Sequence, residues 1–386
     1  MFLSTLPLVT TDPNKLEAQA KEHLSAKSYA YVAGGAGERA TMDANRLAFR
    51  QWKLIPRMLR SSPVSLQTTL FGHTHPSPLI LCPIGVQRIF YPDGECATAR
   101  AAAAVRVPYT LSTAASSTIE QVADAMGDAH RWYQLYWPKT DEITISLLTR
   151  AKKAGYSVLV VTLDTPALAW RPWDLDQGYI PFVTGLGNEV GFSDPAFQRI
   201  FRAAHGKDPA DDITAASLAW AQDVFSGRGH TWDDLRLLRE HWSGPIVLKG
   251  IQHVDDARAA VEAGVDGIVV SNHGGRQVDG AIGSLSVLSE IVDAVGDKLT
   301  VLFDSGVRTG VDVIKALCLG AKGVLLGRPW VYGLAIGGQK GVEQVVKGLL
   351  ADTEQSMGLA GIAGVDGCTR DMLRFVEYSG DRASSN

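Results

Sequence analysis

The sequence has few cysteines, little excess charge and no long apolar run, and each of these features excludes a class of protein. Its 386 residues include only four cysteines, Cys82, Cys96, Cys318 and Cys368, and their spacing fits neither a disulfide framework nor a metal-ligand motif. We therefore expect reduced core thiols in a cytoplasmic protein, with no metal site. The formal net charge is only -4 and the basic residues are scattered, which argues against a nucleic-acid partner.

The apolar runs are also too short for a membrane span. The best candidate, GVLLGRPWVYGLAIGG, contains Arg328 and several glycines and falls short of the roughly eighteen apolar residues that a spanning helix needs. The opening MFLSTLPLVT lacks a basic leader and is interrupted by Pro7, so it does not match a secretion signal. We expect no membrane partner.

From residue 79 onward, apolar segments of strand length alternate with helical patterns. Most are continuous runs of Val, Ile and Leu, which is typical of parallel strands covered on both faces. The eight segments are LILCPIG, PYTLST, RWYQLYW, VLVVTLDT, PIVLKG, GIVVSN, TVLFDSG and GVLLGRP. Eight strand–helix units predict an α/β fold, the (β/α)8 TIM barrel, with a doubly wound open sheet as the alternative.

Two segments lie outside this rhythm. Residues 1–78 are predicted to form an N-terminal helical cap and an entry hairpin. About fifty residues separate DTPALAWRPWD, after strand four, from a helix expected near Thr214, and this stretch is rich in glycine. Long structureless loops in compact domains are usually lids or binding loops. We therefore expect one domain over residues 1–386, with a lid insertion at 165–230.

The residues that close the strands form a chemically coherent set. In a TIM barrel the carboxyl ends of all strands meet at one mouth, so these residues are expected to face a common site. In chain order they are Gly85; Ser112 and Thr113; Gln134 and Tyr136; Thr162 and Asp164; Lys249; Ser271, His273 and Arg276; Asp304 and Ser305; Gly327 and Arg328. Each has an ordinary structural explanation alone, as a cap, a core residue or a surface charge, and only their common location predicts a functional site.

The segment SNHGGRQVDG carries the strongest indication of chemistry. It places His273 and Arg276 three positions apart in a glycine-rich turn after the run GIVV. A guanidinium pairs with a carboxylate through two parallel hydrogen bonds, and an imidazole beside it can remove a proton next to that carboxylate. Asp164 is the expected partner of the imidazole, and Tyr136 and Arg171 are expected near the bound acid.

A second pattern ends strands seven and eight. DSGVRTG and GRP bring together glycine amides, a helix N-terminus and the side chains of Arg308 and Arg328. This combination is typical of a phosphate cradle. The sequence thus predicts one sub-site for the phosphate of a cofactor and another for a small acid.

With these segments, the chain resembles the FMN-dependent L-2-hydroxy acid oxidases and dehydrogenases, which include glycolate oxidase, lactate oxidase and lactate 2-monooxygenase. The resemblance runs from about Leu16 to the last helix. It is carried by SNHGGRQ, supported by YVAGGAG, CPIGV, YQLYW, TLDTP, VLKG, FDSGVR and LGRP in the family's order. It implies FMN as cofactor, a small 2-hydroxy acid and O2 as reactants, and a homotetramer or homo-octamer of barrels.

The resemblance also implies a role for each residue of the site. His273 would take a proton from the substrate while two electrons pass to the flavin, and Asp164 would stabilise the imidazolium; Tyr136 and Arg276 would assist. The residues implied in substrate binding are Tyr31, Tyr136, Arg171, His273 and Arg276. The residues implied in FMN binding are Pro83, Ile84, Gly85, Ser112, Gln134, Thr162, Lys249, Ser271, Asp304, Ser305, Gly306, Arg308, Gly327 and Arg328.

Three features favour lactate 2-monooxygenase within this family. They are an extended lid in GNEVGFSDPAFQRIFRAAHG, Gly85 where simple oxidases usually have Ala, and the form of LAWRPWD and FDSGVR. Such an enzyme keeps pyruvate in a closed site, where peroxide converts it to acetate and carbon dioxide. If the keto acid escapes first, the protein is an oxidase that releases hydrogen peroxide. Ala114 follows LST and leaves room for substituents larger than methyl.

Other functions stay open at this point. A dehydrogenase with a quinone or heme acceptor is disfavoured because no heme domain or membrane-binding insert is visible. An FMN-bound isomerase on a similar barrel should lack the pair His273 and Arg276. A non-catalytic ligand-binding barrel would have to retain all the polar residues that close the strands without using them for catalysis.

Overall fold

The computed structural model describes residues 6–60, 63–227 and 229–377. Its strands are β1 Trp52–Leu54, β2 Thr68–Leu70, β3 His73–His75, β4 Leu79–Leu81, β5 Tyr109–Ser112, β6 Arg131–Tyr136, β7 Val158–Thr162, β8 Ile246–Ile251, β9 Gly267–Val270, β10 Thr300–Phe303, β11 Gly323–Leu326 and β12 Leu373–Phe375. Its α-helices are α1 Leu16–His23, α2 Ala26–Ala33, α3 Ala40–Gln51, α4 Gly94–Val105, α5 Ile119–Met126, α6 Asp141–Lys153, α7 Pro172–Asp176, α8 Glu189–Phe192, α9 Pro195–His205, α10 Ile213–Val224, α11 Leu235–His241, α12 Val254–Glu262, α13 Ser284–Val295, α14 Gly310–Cys318 and α15 Arg328–Leu359.

Strands β4 to β11 close into a parallel barrel in the order β10-β11-β4-β5-β6-β7-β8-β9. These are the eight apolar segments of the sequence, and the helices that follow them surround the barrel. The predicted (β/α)8 barrel is confirmed, and the open sheet is excluded because β4 pairs with β11 as well as with β5.

Apolar side chains fill the lower part of the barrel interior and so determine which residues face its mouth. This internal cluster consists of Leu70, Ile80, Trp132, Val158, Val160, Val247, Val269, Leu302 and Leu325. Because side chains alternate along a strand, residues two positions further on also point inward. Those residues are Cys82, Gln134, Thr162, Lys249, Ser271, Asp304 and Gly327. A mostly polar layer therefore lies on top of an apolar one.

The N-terminal segment packs its helices against α13 and α15 and places a hairpin at the bottom of the barrel. Helices α1 to α3 form the predicted helical cap, and β2 and β3 form the predicted hairpin. The hairpin closes the bottom of the barrel, where Leu70 is 2% exposed and the ring of Phe71 packs edge-on against Trp132 at 5.7 Å. Antiparallel pairing of β1 with β12 then joins this segment to the C-terminal part of the chain.

The insertion after β7 differs from its predicted form. The stretch between strand four and the helix expected near Thr214 was expected to lack regular structure, but it contains α7, α8 and α9, whereas the expected helix is present as α10. Helix α9 begins because the Asp194 carboxylate accepts hydrogen bonds from the amides of Ala196 and Phe197. This helix packs against α6 on the outside of the barrel. The many glycines of the segment concealed an Asp-Pro helix start at Asp194.

Within the described part of the chain, none of the helices combines the length and the apolar character that crossing a membrane requires.

Candidate active site

A cavity of about 960 Å³, counted to its open mouth, lies at the carboxyl ends of the barrel strands. Most of the residues predicted for the site line it, namely Tyr31, Pro83, Ile84, Gly85, Tyr136, Arg171, Lys249, His273, Arg276, Asp304, Ser305, Gly306, Arg308, Gly327 and Arg328. The side chains are therefore brought together from all parts of the sequence.

The other five predicted residues lie just behind the cavity wall. The hydroxyl of Ser112 donates to Oε1 of Gln134 over 3.0 Å. The hydroxyl of Ser271 accepts from the Lys249 ammonium over 3.0 Å. Thr162 and Asp164 line a neighbouring cavity formed with the loop around His230. Thr162 therefore lies beside the main cavity and not on its wall.

His273 and Asp164 form a hydrogen-bonded pair at one side of the main cavity. The Nδ1 atom of His273 lies 2.7 Å from Oδ1 of Asp164. Thr165 holds the same carboxylate oxygen over 2.8 Å and lies 3.2 Å from the His273 Nδ1 atom. His273 has a φ of +57°, and its amide donates to the Ser271 hydroxyl. The turn SNHGG therefore directs the imidazole toward the end of β7.

The charges around this pair favour a neutral imidazole. Burial lowers the pKa of His273, and the positive charges of Lys249 and Arg171 lower it further, against the opposing effect of Asp164. Burial raises the pKa of Asp164, but the charges of His273 and Lys249 and hydrogen bonds lower it to about 2. An ionised Asp164 accepts from Nδ1–H, which leaves Nε2 of His273 free to accept a proton.

Two guanidinium groups face the same space, and the Asp174 carboxylate interacts electrostatically with both without forming an ion pair. The Arg276 group donates to the carbonyl oxygens of Tyr31 and Gly34 over 2.6 and 3.1 Å. The Arg171 group donates to the Arg276 carbonyl oxygen over 3.0 Å and to Oε1 of Gln277 over 2.8 Å. Burial and the Arg276 charge lower the pKa of Arg171 to about 10.

Among the residues that the structure describes, no carboxylate lies within ion-pair distance of Arg171 or Arg276. Arg171 is 7% exposed. Buried positive charges without a counterion are unfavourable, and an anionic ligand would compensate them. The electrostatics of this side of the cavity therefore favour binding of a small acid.

Lys249 forms a second charged group at the floor of the cavity. Its ammonium lies 3.2 Å from Oδ2 of Asp304, and the other Asp304 oxygen accepts from the Ser305 hydroxyl over 2.7 Å. Burial opposes the charge of Lys249, but the nearby Asp304 and Asp164 carboxylates raise its pKa above the usual range. The Cys82 thiol also contacts Asp304 Oδ2, at 3.5 Å. Lys249 is therefore a fixed cation inside the barrel.

The two arginines of the predicted phosphate cradle have different environments. Arg328 donates to the carbonyl oxygens of Val32, Gly274 and Gly34 over 2.8 to 3.0 Å, so most of its donors are already in use. Arg308 donates to the neighbouring Val307 carbonyl oxygen, and burial lowers the pKa of Arg308. Arg308 is thus the better placed of the two to bind a phosphate, while Arg328 also connects α2 to the SNHGG turn.

Part of the cavity wall is apolar, and the prediction contained little of it. Its wall includes Ala114, Phe90, Leu168, Phe182 and Phe225. The Phe182 and Phe225 rings are 5.6 Å apart, and Phe225 packs edge-on against Tyr136 at 5.1 Å. The insertion therefore supplies apolar side chains to the site even though its helix α9 lies elsewhere.

Several residues of the site were missed by sequence reasoning. Cys82 could have been found, because it lies two positions after the interior residue Ile80 of β4. Thr165 is next to Asp164 in the TLDTP segment, which makes it a natural candidate as well. No sequence pattern indicates that Phe182 and Phe225 belong to the site, because their approach to the cavity depends on the path of the insertion.

Gly85 is small for a reason that lies within the protein. A Cβ atom on this residue would lie 2.5 Å from the carbonyl oxygen of Ala114 and 2.8 Å from the Ala114 Cβ atom. The same carbonyl accepts a hydrogen bond from the Val86 amide over 2.9 Å. Close approach of two loops therefore gives this glycine a structural explanation that does not depend on the reaction outcome.

The cavity fits a flavin on the chemistry of its donors. Nε2 of Gln134 is buried and has no hydrogen-bond partner in the described residues, since only Oε1 is used by Ser112. Lys249 adds a buried cation in the same inward-facing layer, and the half-buried Arg308 follows closely after Gly306, whose φ is +87°. An unpartnered amide donor, a buried cation and an arginine beside a glycine turn suit a polar ring with a phosphate tail.

Comparison with known proteins supports this assignment. Residues 20–375 match the model of the FMN-dependent dehydrogenase family. The chain is 59% identical to the FMN-dependent alpha-hydroxy acid dehydrogenase qulF of Penicillium citrinum, over 98% of this chain and 94% of that protein. It is 51% identical to an FMN-dependent alpha-hydroxy acid dehydrogenase of Schizosaccharomyces pombe, over 96% and 92% of the two chains. A crystal structure of mandelate oxidase superimposes with a TM-score of 0.82 and 38% identity, covering 95% of this chain and 98% of that one.

The chain therefore belongs to the family of FMN-dependent 2-hydroxy acid oxidases and dehydrogenases. It is an enzyme of this family, and FMN is its cofactor.

Proposed function

We propose that this enzyme oxidises L-2-hydroxy acids to 2-keto acids, with O2 as the final electron acceptor. The observation that carries the proposal is the arrangement of one base and two cations in a single cavity. His273, which is hydrogen-bonded to Asp164, lines the same cavity as the guanidinium groups of Arg171 and Arg276, and neither guanidinium forms an ion pair with a carboxylate in the described structure. A carboxylate bound by the arginines would bring its C2 carbon near the imidazole.

Substrate binding in this proposal uses three kinds of group. Arg276 and Arg171 bind the carboxylate, assisted by the Tyr31 hydroxyl. Burial raises the pKa of Tyr136 above its usual range, so its hydroxyl stays protonated and donates to the substrate oxygen. Charge-assisted hydrogen bonds of this kind contribute about 1.5 to 3 kcal/mol each.

Proton transfer is assigned to His273. Its Nε2 atom accepts the proton from the substrate, and the ionised Asp164 stabilises the resulting imidazolium through Nδ1–H. When bound, FMN supplies the acceptor for the two electrons that leave the substrate. Lys249 keeps a positive charge at the floor of the cavity, where negative charge develops on reduction.

The residues proposed to hold FMN divide by chemistry. Ser112, Gln134, Lys249 and Ser271 would hydrogen-bond the ring, and residues 83–85 and Gly327 would make backbone contacts. Thr162 was also expected there, but it lines the neighbouring cavity and is assigned no contact with the ring. Asp304 and Ser305 bind the ribityl chain. The phosphate is assigned to Arg308, Arg328 and the amide of Gly306.

The apolar wall supports a preference for substrates larger than glycolate. Ala114, Phe182 and Phe225 surround the space where a C2 substituent would lie. One extra methylene in such a pocket changes selectivity by about 1 to 3 kcal/mol, so lactate and its larger or aromatic homologues are all expected to react.

The acetate-forming reaction of a lactate 2-monooxygenase is a more specific alternative to the oxidase reaction. In that reaction lactate and O2 give acetate, carbon dioxide and water, whereas an oxidase gives pyruvate and hydrogen peroxide. Leu168, Phe182 and Phe225 of the insertion line the cavity, and apolar groups there would support retention of the keto acid. Helix α9 packs against α6, and Gly85 has another explanation, so neither favours this outcome. We therefore rank the oxidase reaction first.

Product analysis tests the proposal. The purified holoenzyme is supplied with O2 and, in turn, glycolate, L-lactate, L-2-hydroxybutyrate and L-mandelate, and the keto acid, peroxide, acetate and carbon dioxide are counted. Equal amounts of keto acid and peroxide are expected. Stoichiometric acetate from lactate in a parallel reaction with catalase would establish the monooxygenase, because catalase removes the free peroxide that otherwise converts released pyruvate to acetate. Anaerobic bleaching without oxygen consumption would indicate a dehydrogenase with another acceptor, and no bleaching by any acid would refute the proposal.

The expected homotetramer or homo-octamer also belongs to this proposal. Apolar side chains near the mouth of the barrel support an assembly contact there, with Trp170 75% exposed and Ile180 and Val183 also exposed. Light scattering on the holoenzyme would measure the mass of the assembly. The expected cytoplasmic location, and the expected absence of nucleic-acid and membrane partners, stay predictions.

A further inference from the structure

Glu95 is a buried carboxylate with no part in the chemistry proposed above. It lies in the first turn of α4 and is 0% exposed. Within the described residues it has no ion-pair partner, so its charge is met by hydrogen bonds and by the N-terminus of α4. A buried charge of this kind requires all its donors to stay in place.

The donors to Glu95 come from two different loops of the active site. Oε1 accepts from the amide of Gln87 over 3.0 Å and from the amide of Ser116 over 2.9 Å. Oε2 accepts from the hydroxyls of Ser116 and Ser117 over 2.8 and 3.1 Å. One carboxylate thus holds the loop after β4, residues 82–88, against the loop after β5, residues 113–117.

The side chain of Gln87 extends this connection into the core. Its Nε2 atom donates to the carbonyl oxygen of Ile84 over 2.8 Å and to the Tyr109 hydroxyl over 2.6 Å. Its Oε1 atom accepts from the Thr98 hydroxyl over 2.6 Å. The loop that carries Ile84 is therefore fixed to α4 and to β5 at the same time.

The two loops meet inside the active site at their closest point. Gly85 and Ala114 both line the cavity, and they are so close that a Cβ atom on Gly85 would clash with Ala114. The distance between these two residues defines one wall of the space for the flavin and for the substrate substituent. Any change in the spacing of the loops would change that wall.

We propose that Glu95 is a positioning residue of the active site, which fixes the contact between Gly85 and Ala114 by binding both loops. Through this contact Glu95 controls FMN affinity and the size of the C2 substituent that the pocket accepts. The claim about the C2 substituent rests on the proposed function, whereas the claim about FMN affinity requires only that the enzyme binds FMN.

Variants of Glu95 can be compared with a matched buried carboxylate elsewhere. Asp194 is also 0% exposed and accepts from the amides of Ala196 and Phe197, from the Ser146 hydroxyl and from Arg150, but it caps α9 on the outside of the barrel. Glu95→Ala, Glu95→Gln, Ser117→Ala and Asp194→Ala would be made in the full chain. Melting temperature, the FMN dissociation constant from flavin fluorescence, and kcat and KM for L-lactate and L-mandelate would be measured.

Glu95→Ala is expected to weaken FMN binding at least tenfold and to change the ratio of kcat/KM for mandelate and lactate at least fivefold. Glu95→Gln keeps an acceptor for the two amides, and the serine hydroxyls can rotate to accept from its amide group, so it should recover most of both losses. Ser117→Ala should have a smaller effect in the same direction. Asp194→Ala should lower the melting temperature yet leave both quantities within twofold of wild type.

Equal losses of melting temperature in Glu95→Ala and Asp194→Ala, with FMN affinity and substrate ratio unchanged in both, would overturn the proposal. If Glu95→Ala does not fold, Ser117→Ala decides, and an FMN affinity and a substrate ratio both unchanged in that variant would overturn the proposal as well. If wild type oxidised no hydroxy acid, the proposed function would fail, but the FMN measurements would still decide whether Glu95 positions the site.

Discussion

Nδ1 of His273 lies 2.7 Å from Oδ1 of Asp164, although the two residues are 109 positions apart in the chain. Asp164 follows β7 and His273 follows β9, with β8 between them in the barrel. The pair therefore exists only because parallel strands bring their carboxyl ends to one mouth. Its geometry fixes the tautomer of the imidazole and leaves Nε2 available as a base.

Removal of this base gives the most direct test of the assigned chemistry. His273→Ala should still bind FMN, because the amides and serines around the cofactor site are unchanged. Reduction of the flavin by L-lactate without oxygen should slow by about a hundred- to ten-thousandfold, the usual contribution of a general base. Stopped-flow absorbance at the flavin band measures this rate, and fast bleaching in the variant would contradict the role of His273.

Asp164→Asn tests the electrostatics of the pair. In wild type the reduction rate should rise with pH through a pKa below 6.5 and then stay constant, because burial favours the neutral imidazole. Loss of the Asp164 charge removes an effect that raises this pKa, so the midpoint should move to lower pH while the plateau falls. A pH profile of anaerobic reduction measures both. A midpoint that moves upward would contradict the assigned interaction.

Acid unfolding provides a second measurement on Asp164. Its pKa in the folded protein is about 2, below the ordinary value of 3.8, so the ionised carboxylate stabilises the fold above pH 3.8. This stabilisation should be lost as the pH falls from 3.8 toward 2. Asp164→Asn should therefore show a smaller loss of unfolding free energy over that range in urea titrations.

Substitution of Arg276 should affect acid binding more than proton transfer. Arg276→Met removes a charge-assisted interaction with the substrate carboxylate, which corresponds to an increase in KM of about ten- to a hundredfold. Arg276→Lys keeps the charge but not the planar fork and should recover only part of this loss. Steady-state kinetics with L-lactate compare the two. A KM unchanged in Arg276→Met would assign the carboxylate to another group.

Lys249→Met tests whether a cation at the cavity floor is needed for reduction. The substitution leaves Asp304 buried without its partner, which destabilises a protein by about 3 to 5 kcal/mol, and it should slow anaerobic reduction about a hundredfold. The double variant Lys249→Met with Asp304→Asn removes both charges. The double variant should regain stability in thermal unfolding, but its rate of anaerobic flavin reduction should stay low. Recovery of the reduction rate in the double variant would show that the charge of Lys249 is dispensable.

Gly85→Ala tests the loop contact. A Cβ atom there would lie 2.5 Å from the Ala114 carbonyl oxygen, so the variant should lose thermal stability and FMN affinity. Ala114→Gly removes the Cβ atom of Ala114 that lies 2.8 Å away, so the double variant should recover part of the stability. If Gly85→Ala instead keeps full stability and FMN affinity and only shifts products between acetate and peroxide, the glycine controls the reaction outcome after all.

The sequence alone determined the barrel and the residues at its mouth. Eight apolar runs of strand length, separated by amphipathic helices, leave few folds available, and the alternation of side chains along each strand then decides which residues face inward. Polar residues such as Gln134, Lys249 and Asp304 follow apolar interior residues by two positions, so their common location was predictable.

Only the tertiary structure decided contacts that depend on the path of the chain between strands. Three-dimensional packing brought Phe182 and Phe225 to the cavity, laid α9 on the outer surface and used most of the Arg328 donors on backbone carbonyls. It also explained Gly85 by its approach to Ala114. A strand has a fixed period that a sequence displays, whereas a long connection is positioned by many weak contacts whose sum no short segment contains.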